Sequence, residues 1–146
     1  MPLLKLPNGT KLHYRIERAS HRSCQTSIVF IHGLGSSHNY YGAVCESLEI
    51  SSPQVCFDTP GSGRSPFPEI AQTVQSLTDD VISLLDLLNL DEVVLVGHSL
   101  GGLIACNVAA TYPSRVKKLI LIGPVYPTPN TQKIFEDRIK TLKEGT

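Results

Sequence analysis

No stretch of this 146-residue chain is apolar over the length needed to cross a membrane. Its first residues, Met1-Pro2-Leu3-Leu4-Lys5, also lack the charged segment and apolar segment of a secretory signal. Thirteen basic residues balance thirteen acidic ones without a long run of either sign. Charge therefore gives no reason to expect nucleic acid or an anionic membrane as a partner. We expect a cytoplasmic protein that acts on small neutral molecules.

The four cysteines form no C-x-x-C pair, and their spacing fits neither a zinc site nor a disulfide framework. They are predicted to be reduced, mostly buried thiols with structural roles: Cys24, Cys45, Cys56 and Cys106. The Gly-Lys-Ser/Thr of a phosphate-binding P-loop is absent, as are internal repeats and low-complexity tracts. The length is that of one domain.

Strand-like and helix-like segments alternate from residue 27 onward. Apolar or β-branched runs predict strands at residues 27–31, 54–57, 92–96 and 116–122. Apolar residues at helical spacing predict helices at residues 40–48, 73–88, 103–112 and 131–143. Thr73 is the expected N-cap of the second helix. This alternation predicts an α/β fold with a mostly parallel sheet flanked by helices.

The first 18 residues predict a β-hairpin, with a turn at Pro7-Asn8-Gly9, that adds antiparallel edge strands. Alternation in its second strand indicates one buried face and one wet face. The buried face carries Leu12, Tyr14 and Ile16, and the wet face carries His13, Arg15 and Glu17.

Residues 92–112 contain the motif Gly97-His98-Ser99-Leu100-Gly101 between a predicted strand and a predicted helix. A turn this tight requires a strained backbone at the central residue and neighbours without a Cβ. Ser99 then stands at a helix N-terminus, where free N–H groups favour developing negative charge. The segment is typical of a nucleophile elbow. A dinucleotide-binding turn is set aside, because the third position is serine and no acidic residue occurs between Glu92 and Glu136.

Two further glycine-containing turns follow predicted strands and so belong to the same edge of the sheet. One reads His32-Gly33-Leu34-Gly35, and the other reads Asp58-x-Pro60-Gly61-x-Gly63-x-Ser65. Together with the serine motif, they resemble the α/β-hydrolase fold superfamily over essentially the whole chain. The Gly-Pro-Val after the last predicted strand and the helix that follows are similar to the esterase and lactonase branch, including 3-oxoadipate enol-lactonase-like proteins.

The resemblance implies that Ser99 attacks a carboxylic ester or lactone and that the N–H groups of Leu34 and Leu100 form the oxyanion hole. Gly33 and Gly35 let the backbone approach the substrate, and Asp58 ties down backbone N–H groups. His98 is expected to be a packed, hydrogen-bonded residue. A metal site built from His32, His98 and Asp58 fits no metal-ligand spacing, so neither a metal nor a cofactor is expected.

The chain departs from the family pattern after Ser99. In that pattern a catalytic acid and then a histidine follow the nucleophile, whereas no histidine follows Ser99 here. The only carboxylates after it are Glu136, Asp137 and Glu144. We therefore interpret residues 1–146 as a single hydrolase core, truncated after about the sixth strand, with residues 124–146 as a linker and the first helix of a cap.

Two functions remain open: the amino-terminal part of a serine hydrolase, or a non-catalytic remnant that binds small molecules or a partner. His38 is the one histidine that we name as a substitute base. We expect the coding sequence to continue past Thr146 and to supply the acid and the histidine. The unpaired strand at residues 116–122 is expected to favour self-association.

Overall fold

The computed structural model describes residues 3–17, 26–48 and 50–145. Cys24, which was predicted to be a structural thiol, and His21 lie outside these residues. Six strands form the sheet: β1 (Leu3–Lys5), β2 (Lys11–Glu17), β3 (Ile28–Ile31), β4 (Gln54–Phe57), β5 (Val93–His98) and β6 (Val116–Ile122). Their order across the sheet is β1-β2-β4-β3-β5-β6.

The sheet is parallel from β4 to β6 and antiparallel at its first edge, as predicted. β3 pairs with β4 and β5 in parallel, and β5 pairs with β6 in parallel. β1 and β2 form the expected antiparallel hairpin, and β2 then pairs antiparallel with β4. Because β3, β4 and β5 are parallel, the loops that follow them meet at one edge of the sheet.

The described residues contain four α-helices: α1 (Gly42–Ser47), α2 (Val74–Leu87), α3 (Leu100–Thr111) and α4 (Pro129–Glu144). The first three connect successive parallel strands, and α4 follows β6. A 3₁₀ turn at His38–Tyr41 precedes α1. Thr73 caps α2 as predicted, since its side chain accepts from the Ser76 N–H while the Ser76 hydroxyl accepts from the Thr73 N–H. This reciprocal pair satisfies two backbone donors that the helix itself leaves free.

Buried side chains lie on both faces of the sheet. The larger cluster packs α2 and α3 against the strands and includes Val29, Leu85, Leu95 and Ile104. The smaller cluster lies on the α1 face and joins Phe30, Tyr41, Cys45, Cys56 and Val96. β3, β4 and β5 are thus covered on both sides, which explains their continuous apolar sequences.

The prediction of a wet face on β2 is wrong for His13. Its side chain is buried, and Arg15 and Glu17 on the same face are half-buried. β2 lies between β1 and β4 in the sheet, and the loop after β4 reaches over the His13 position. A period-two alternation signals polarity, but it does not reveal that a polar side chain has a buried partner.

The last strand and helix are exposed. Among the described strands β6 pairs only with β5, and Ile120 and Ile122 are 47% and 44% exposed. α4 has no buried residue. Its N-terminus differs from the prediction, because Pro129 is not part of a linker but the first helical residue. Thr128 caps the helix there by accepting from the Thr131 N–H.

The described cysteines are free thiols. Cys45 and Cys56 are buried with their sulfur atoms 3.6 Å apart, and Cys106 is half-buried. Burial raises the pKa of both the Cys45 and the Cys56 thiol. These two cysteines act as packed core residues. Within the described part of the chain, no helix is long and apolar enough to span a bilayer.

Candidate active site

Ser99 lies at the turn between β5 and α3 in a strained backbone conformation. Its φ is 53° and its ψ is −118°, a combination that side chains with a Cβ rarely adopt. α3 begins at the next residue, and the Ser99 hydroxyl makes no capping hydrogen bond to it. The strain predicted for the centre of this motif is therefore present, and the hydroxyl is not used to cap the helix that follows.

The glycines on either side of Ser99 are required by close backbone approach. A Cβ on Gly97 would collide with the Gly101 carbonyl, and a Cβ on Gly101 would collide with the carbonyl oxygens of Ile31 and His32. Gly102 has a similar constraint, since its Cβ would lie 2.8 Å from the Pro124 Cβ. The first turn of α3 can thus pack directly on the ends of β3 and β5.

The end of β6 fixes the backbone of Ser99 from the other side. The Ser99 N–H donates to the Ile122 carbonyl at 3.1 Å, and the Val125 N–H donates to the Ser99 carbonyl at 3.1 Å. The Gly102 N–H also donates to the Ser99 carbonyl, at 3.0 Å. Hydrogen bonds on both sides of the strained residue hold it in place.

The loop after β3 lies against the serine turn. A Cβ on Gly33 would be 3.0 Å from the Ser99 Cβ and 3.1 Å from the His98 Nδ1, so only glycine fits without a shift. Gly35 has a φ of 71°, which also favours glycine. Between them, Leu34 is 66% exposed. Among the described residues, neither the Leu34 N–H nor the Leu100 N–H has a hydrogen-bond acceptor.

His32 holds this loop in place. Its Nε2 accepts from the Thr59 N–H at 3.1 Å, so the proton of the neutral ring is on Nδ1, which donates to the Gly33 carbonyl at 2.7 Å. Burial lowers the pKa of His32, although the bond to Gly33 opposes this effect. A neutral His32 thereby connects the loop after β3 to the loop after β4.

His98 is packed as expected, but the structure shows no hydrogen bond from its Nδ1 to any described residue. Its ring stacks on Tyr40, with centroids 4.6 Å apart and planes 17° apart. Its Nδ1 is buried and has no partner among the described residues. Stacking on an aromatic ring, which the sequence motif does not reveal, positions this side chain.

Asp58 forms a second polar centre, which we call the Asp58 network and which comprises His13, His38, Asp58, Arg64 and Ser65. One carboxylate oxygen accepts from the His38 N–H at 2.6 Å and from the His38 Nδ1 at 2.9 Å. The other accepts from the Arg64 N–H at 2.9 Å and from the His13 Nδ1 at 3.2 Å. The role predicted for Asp58, holding backbone N–H groups, is confirmed.

The rest of the loop after β4 closes around this carboxylate. The Ser65 hydroxyl donates to the Asp58 carbonyl at 2.7 Å and accepts from the His13 N–H at 2.9 Å. Gly63 has a φ of 53°, and a Cβ there would collide with the Asp58 carboxylate. The turn glycine therefore makes room for a buried charge.

The electrostatics of the network favour an ionised Asp58 and a neutral His13. Burial alone would raise the pKa of Asp58, but the Arg64 and His38 donors outweigh it and lower the pKa below the ordinary range. Burial lowers the pKa of His13, while Asp58 opposes that shift. The His13 Nε2 is buried without a partner within the described residues, so protonating it would add an unsatisfied donor.

Donor atoms of His13, His38 and Asp58 lie within 4.8 Å of one another, as in some metal sites. This group differs from the His32, His98 and Asp58 set considered from the sequence. Hydrogen bonds already engage both carboxylate oxygens and the Nδ1 of each histidine. The donor set is accounted for as a structural network, and its chemistry does not call for an ion.

The described histidines are all engaged away from the Ser99 hydroxyl. His13 and His38 contact Asp58, His32 joins the two loops, and His98 stacks on Tyr40. His38, the substitute base that we named, is 5% exposed and is held by Asp58. No hydrogen bond within the described ranges links any of them to Ser99, so the serine lacks a proton acceptor there.

Sequence reasoning missed the partners of Asp58. His13, His38 and Asp58 are separated by 20 to 45 positions, so no local motif joins them. The usable signal was chemical: an aspartate in a glycine-rich loop needs donors, and histidines occur in the predicted hairpin and just before the predicted helix at residues 40–48. It also missed Tyr40, which is exposed and lies beside His98.

Comparison with known proteins identifies the family to which this chain belongs. Residues 26–143 match the model of the alpha/beta hydrolase fold family. The chain is 30% identical over 125 residues to 1-acylglycerol-3-phosphate O-acyltransferase ABHD5 of Rattus norvegicus, covering 83% of this chain and 35% of that protein. It is 29% identical to human (lyso)-N-acylphosphatidylethanolamine lipase, covering 83% of this chain and 36% of that protein.

Solved structures superpose on most of the chain. A hydrolase from Pseudomonas aeruginosa has a TM-score of 0.86 at 25% identity, covering 99% of this chain and 53% of its own. The enol-lactonase of Burkholderia xenovorans has a TM-score of 0.75 at 30% identity, covering 81% of this chain and 45% of its own. This chain thus spans about a third of the length of the curated relatives and about half of the solved structures. It belongs to the alpha/beta hydrolase fold family.

Proposed function

We propose that Ser99 is the nucleophile of a serine hydrolase that acts on a carboxylic ester or lactone. The observation that carries this proposal is the strained Ser99 backbone beside the N–H groups of Leu34 and Leu100, which have no acceptor among the described residues. Strain of this kind persists where function requires it. The names of the similar proteins are those of an acyltransferase, a lipase and an enol-lactonase. These names support an acyl carbonyl as the group that reacts.

In the proposed reaction the Ser99 Oγ bonds to the carbonyl carbon and gives up its proton to a base. The carbonyl oxygen becomes an oxyanion that accepts from the Leu34 and Leu100 N–H groups, and the helix N-terminus favours its charge. The C–O bond to the alcohol then breaks, and the alcohol oxygen takes the proton. In a lactone that alcohol stays attached to the acyl group. Water finally hydrolyses the acyl-enzyme.

The base and the acid that orients it are the parts that the described residues do not supply. A serine hydroxyl is a weak nucleophile without them. For this chain by itself we therefore expect turnover of 4-nitrophenyl acetate to be several orders of magnitude below that of a complete site. Turnover at a normal esterase rate that disappears in Ser99→Ala would contradict this expectation.

Added imidazole offers a direct test, because it can replace a missing proton acceptor. We expect a fluorophosphonate to label Ser99 slowly, and the rate to rise with imidazole concentration. Intact mass and peptide mapping would locate the label. Ser99→Ala should abolish it, whereas Ser114→Ala, which changes an exposed serine far along the chain, should not.

The second candidate is a non-catalytic member of the family that binds a small molecule or a partner. It is favoured by the engagement of every described histidine away from Ser99. Labelling that stays at the level of Ser99→Ala even with imidazole would establish this alternative. Under both candidate functions, we propose that the protein is cytoplasmic.

A further inference from the structure

Tyr40 is an aromatic residue beside the serine turn, and burial in the core does not account for it. It is 48% exposed, and its hydroxyl makes no hydrogen bond to a described residue. One face of its ring stacks on His98, with centroids 4.6 Å apart. Tyr41 meets the same ring edge-on, with centroids 5.1 Å apart and planes at 89°. The side chain therefore acts through its ring, and one contact of that ring is to the residue that precedes Ser99.

The 3₁₀ turn that carries Tyr40 is fixed at both ends. At its start, the His38 N–H donates to the Asp58 carboxylate at 2.6 Å. At its end, Tyr41 is 1% exposed and its hydroxyl donates to the Ile31 carbonyl at 3.1 Å. The turn therefore holds Tyr40 at a defined place above the ends of the strands, where a stacked aromatic pair has a preferred geometry.

The orientation of the His98 ring depends on this stack. Its Nδ1 is buried, and no hydrogen bond from that atom to a described residue orients the ring. A side chain that is held by packing alone can turn to another rotamer when the packing is removed. The Tyr40 ring, which is nearly parallel to the imidazole, is the aromatic contact that opposes such a turn.

The His98 ring also lies against the loop after β3. A Cβ built on Gly33 would be 3.1 Å from the His98 Nδ1 and 3.0 Å from the Ser99 Cβ, so one side of Gly33 borders both residues. Leu34, whose N–H we assign to the oxyanion hole, follows directly. A turned His98 ring would change the space against which Gly33 rests and so displace the Leu34 N–H. The displacement matters because an oxyanion-hole donor must lie about 3 Å from the oxyanion.

We propose that Tyr40 is a positioning residue for the oxyanion hole. By stacking on His98, it holds Gly33, and with it the Leu34 N–H, in place beside Ser99. The proposal rests on the proposed function, in which Ser99 is the nucleophile. Tyr40 acts through His98 and does not touch the reacting atoms. A role as a surface contact alone would instead change stability and leave the reactivity of Ser99 unaltered.

The first test is the rate at which a fluorophosphonate labels Ser99 in the full chain at a fixed imidazole concentration. Tyr40→Ala should label about tenfold more slowly, a smaller loss than the ~100-fold typical of deleting an oxyanion-hole donor, because the donor is displaced and not removed. Tyr40→Phe keeps the ring and should stay within about twofold of the unchanged chain. The loss should appear in the limiting rate and not in the probe concentration that gives half of it.

Phe67→Ala is the matched control. It removes an aromatic ring that is 87% exposed and has no ring contact with His98 in the described part of the chain. Its labelling rate should equal that of the unchanged chain. Thermal unfolding of each variant shows whether it is folded under the labelling conditions. Tyr40→Leu, which keeps bulk without an aromatic ring, takes the place of Tyr40→Ala if that variant does not fold.

A double-mutant cycle tests the route through His98. His98→Ala should also slow labelling, and the double variant should be no slower than the slower single variant, because the two side chains act in series. Rate losses that multiply in the double variant would show that Tyr40 acts independently of His98. That result would overturn the proposal.

NMR separates this proposal from the proposed function, because it does not require a reactive serine. Tyr40→Ala should shift the His98 ring protons and the Gly33 and Leu34 amide resonances, whereas Tyr40→Phe should leave them nearly in place. A shifted Leu34 amide supports positioning by Tyr40 even if the unchanged chain is not labelled, an outcome that would refute the nucleophile alone. An unmoved Leu34 amide, or equal labelling of a folded Tyr40→Ala and the unchanged chain, would refute positioning by Tyr40.

Discussion

Two polar centres lie at the same edge of the sheet, and they differ in how completely their groups are paired. In the Asp58 network, each carboxylate oxygen accepts two hydrogen bonds from buried or half-buried donors. At Ser99, the hydroxyl and the N–H groups of Leu34 and Leu100 have no partners among the described residues. Saturated polar groups stabilise a fold, whereas unpaired groups on a strained backbone are available for chemistry.

The largest expected effect comes from breaking the saturated centre. Asp58→Asn replaces two acceptor oxygens by one oxygen and an NH₂ group that faces donors. We expect the free energy of unfolding to fall by about 3 to 6 kcal/mol, because two donors lose their acceptor and a hydrogen bond to a charged group contributes about 1.5 to 3 kcal/mol. Denaturant unfolding followed by circular dichroism would measure it.

A surface ion pair provides the control for this variant. Asp86 contacts Arg115 at 2.7 Å, but the Asp86 side chain is 59% exposed. Asp86→Asn should therefore cost no more than about 1 kcal/mol. Equal losses in the two variants would show that the Asp58 network is not the anchor that its geometry indicates.

Lowering the pH should also weaken the saturated centre and the neighbouring loop contact that His32 makes. Burial lowers the pKa of His13 and His32, so the unfolded chain binds a proton on each more readily than the folded chain does. Their contribution to stability is present above the ordinary histidine pKa of about 6.5 and is lost as pH falls below it. The lowered pKa of Asp58 adds a loss of the same sign at more acidic pH.

Unfolding free energies at pH 7.5 and pH 5.0 test this sign. The loss between them should be smaller in His13→Gln, which cannot titrate, than in the unchanged chain. Asp80 acts in the opposite direction, because its raised pKa makes its contribution decline as pH rises. Both the unchanged chain and His13→Gln contain Asp80, so its contribution cancels when their losses are compared. An equal or larger loss in His13→Gln would contradict the assignment.

Relieving the strain at Ser99 should have a smaller effect of opposite sign. Glycine tolerates a φ of 53° better than serine or alanine does. We expect Ser99→Gly to be about 1 kcal/mol more stable than Ser99→Ala, with neither variant labelled by a fluorophosphonate. Thermal unfolding of the pair gives the measurement, and Ser99→Gly no more stable than Ser99→Ala would argue against strain at this turn.

A substitution on the exposed edge of β6 should have the smallest effect on stability but a measurable effect on association. We propose that chains associate through this strand, since no other described strand pairs with its outer edge and Ile120 is 47% exposed. Ile120→Lys should reduce association in sedimentation experiments while changing stability by no more than about 0.5 kcal/mol. Lys133→Ala on exposed α4 is the control. A monomer at high concentration before any substitution would rule out this mode of association.

The contrast between the two centres also explains what the sequence could predict. The serine turn is local: its strand, its glycines and its helix are contiguous, so the motif alone indicated the strained residue. The Asp58 network is assembled from the hairpin, the 3₁₀ turn and the loop after β4, and its pairing depends on how these elements pack. His13 was therefore assigned to the wet face, although Asp58 was correctly predicted to hold backbone N–H groups.

The attachment of Ser99 to the end of β6 has a consequence for the order of events during synthesis. The Ser99 backbone is fixed through the Ile122 carbonyl and the Val125 N–H. Val125 follows Ser99 by 26 positions, so a ribosome adding about 5 to 20 residues per second produces it about 1 to 5 s later. A nascent chain that has emerged only as far as α3 can pair β3 with β5, yet it lacks the bonds that lock the serine turn. The serine turn is thus locked only after the end of β6 has been made, when β3 and β5 can already be paired.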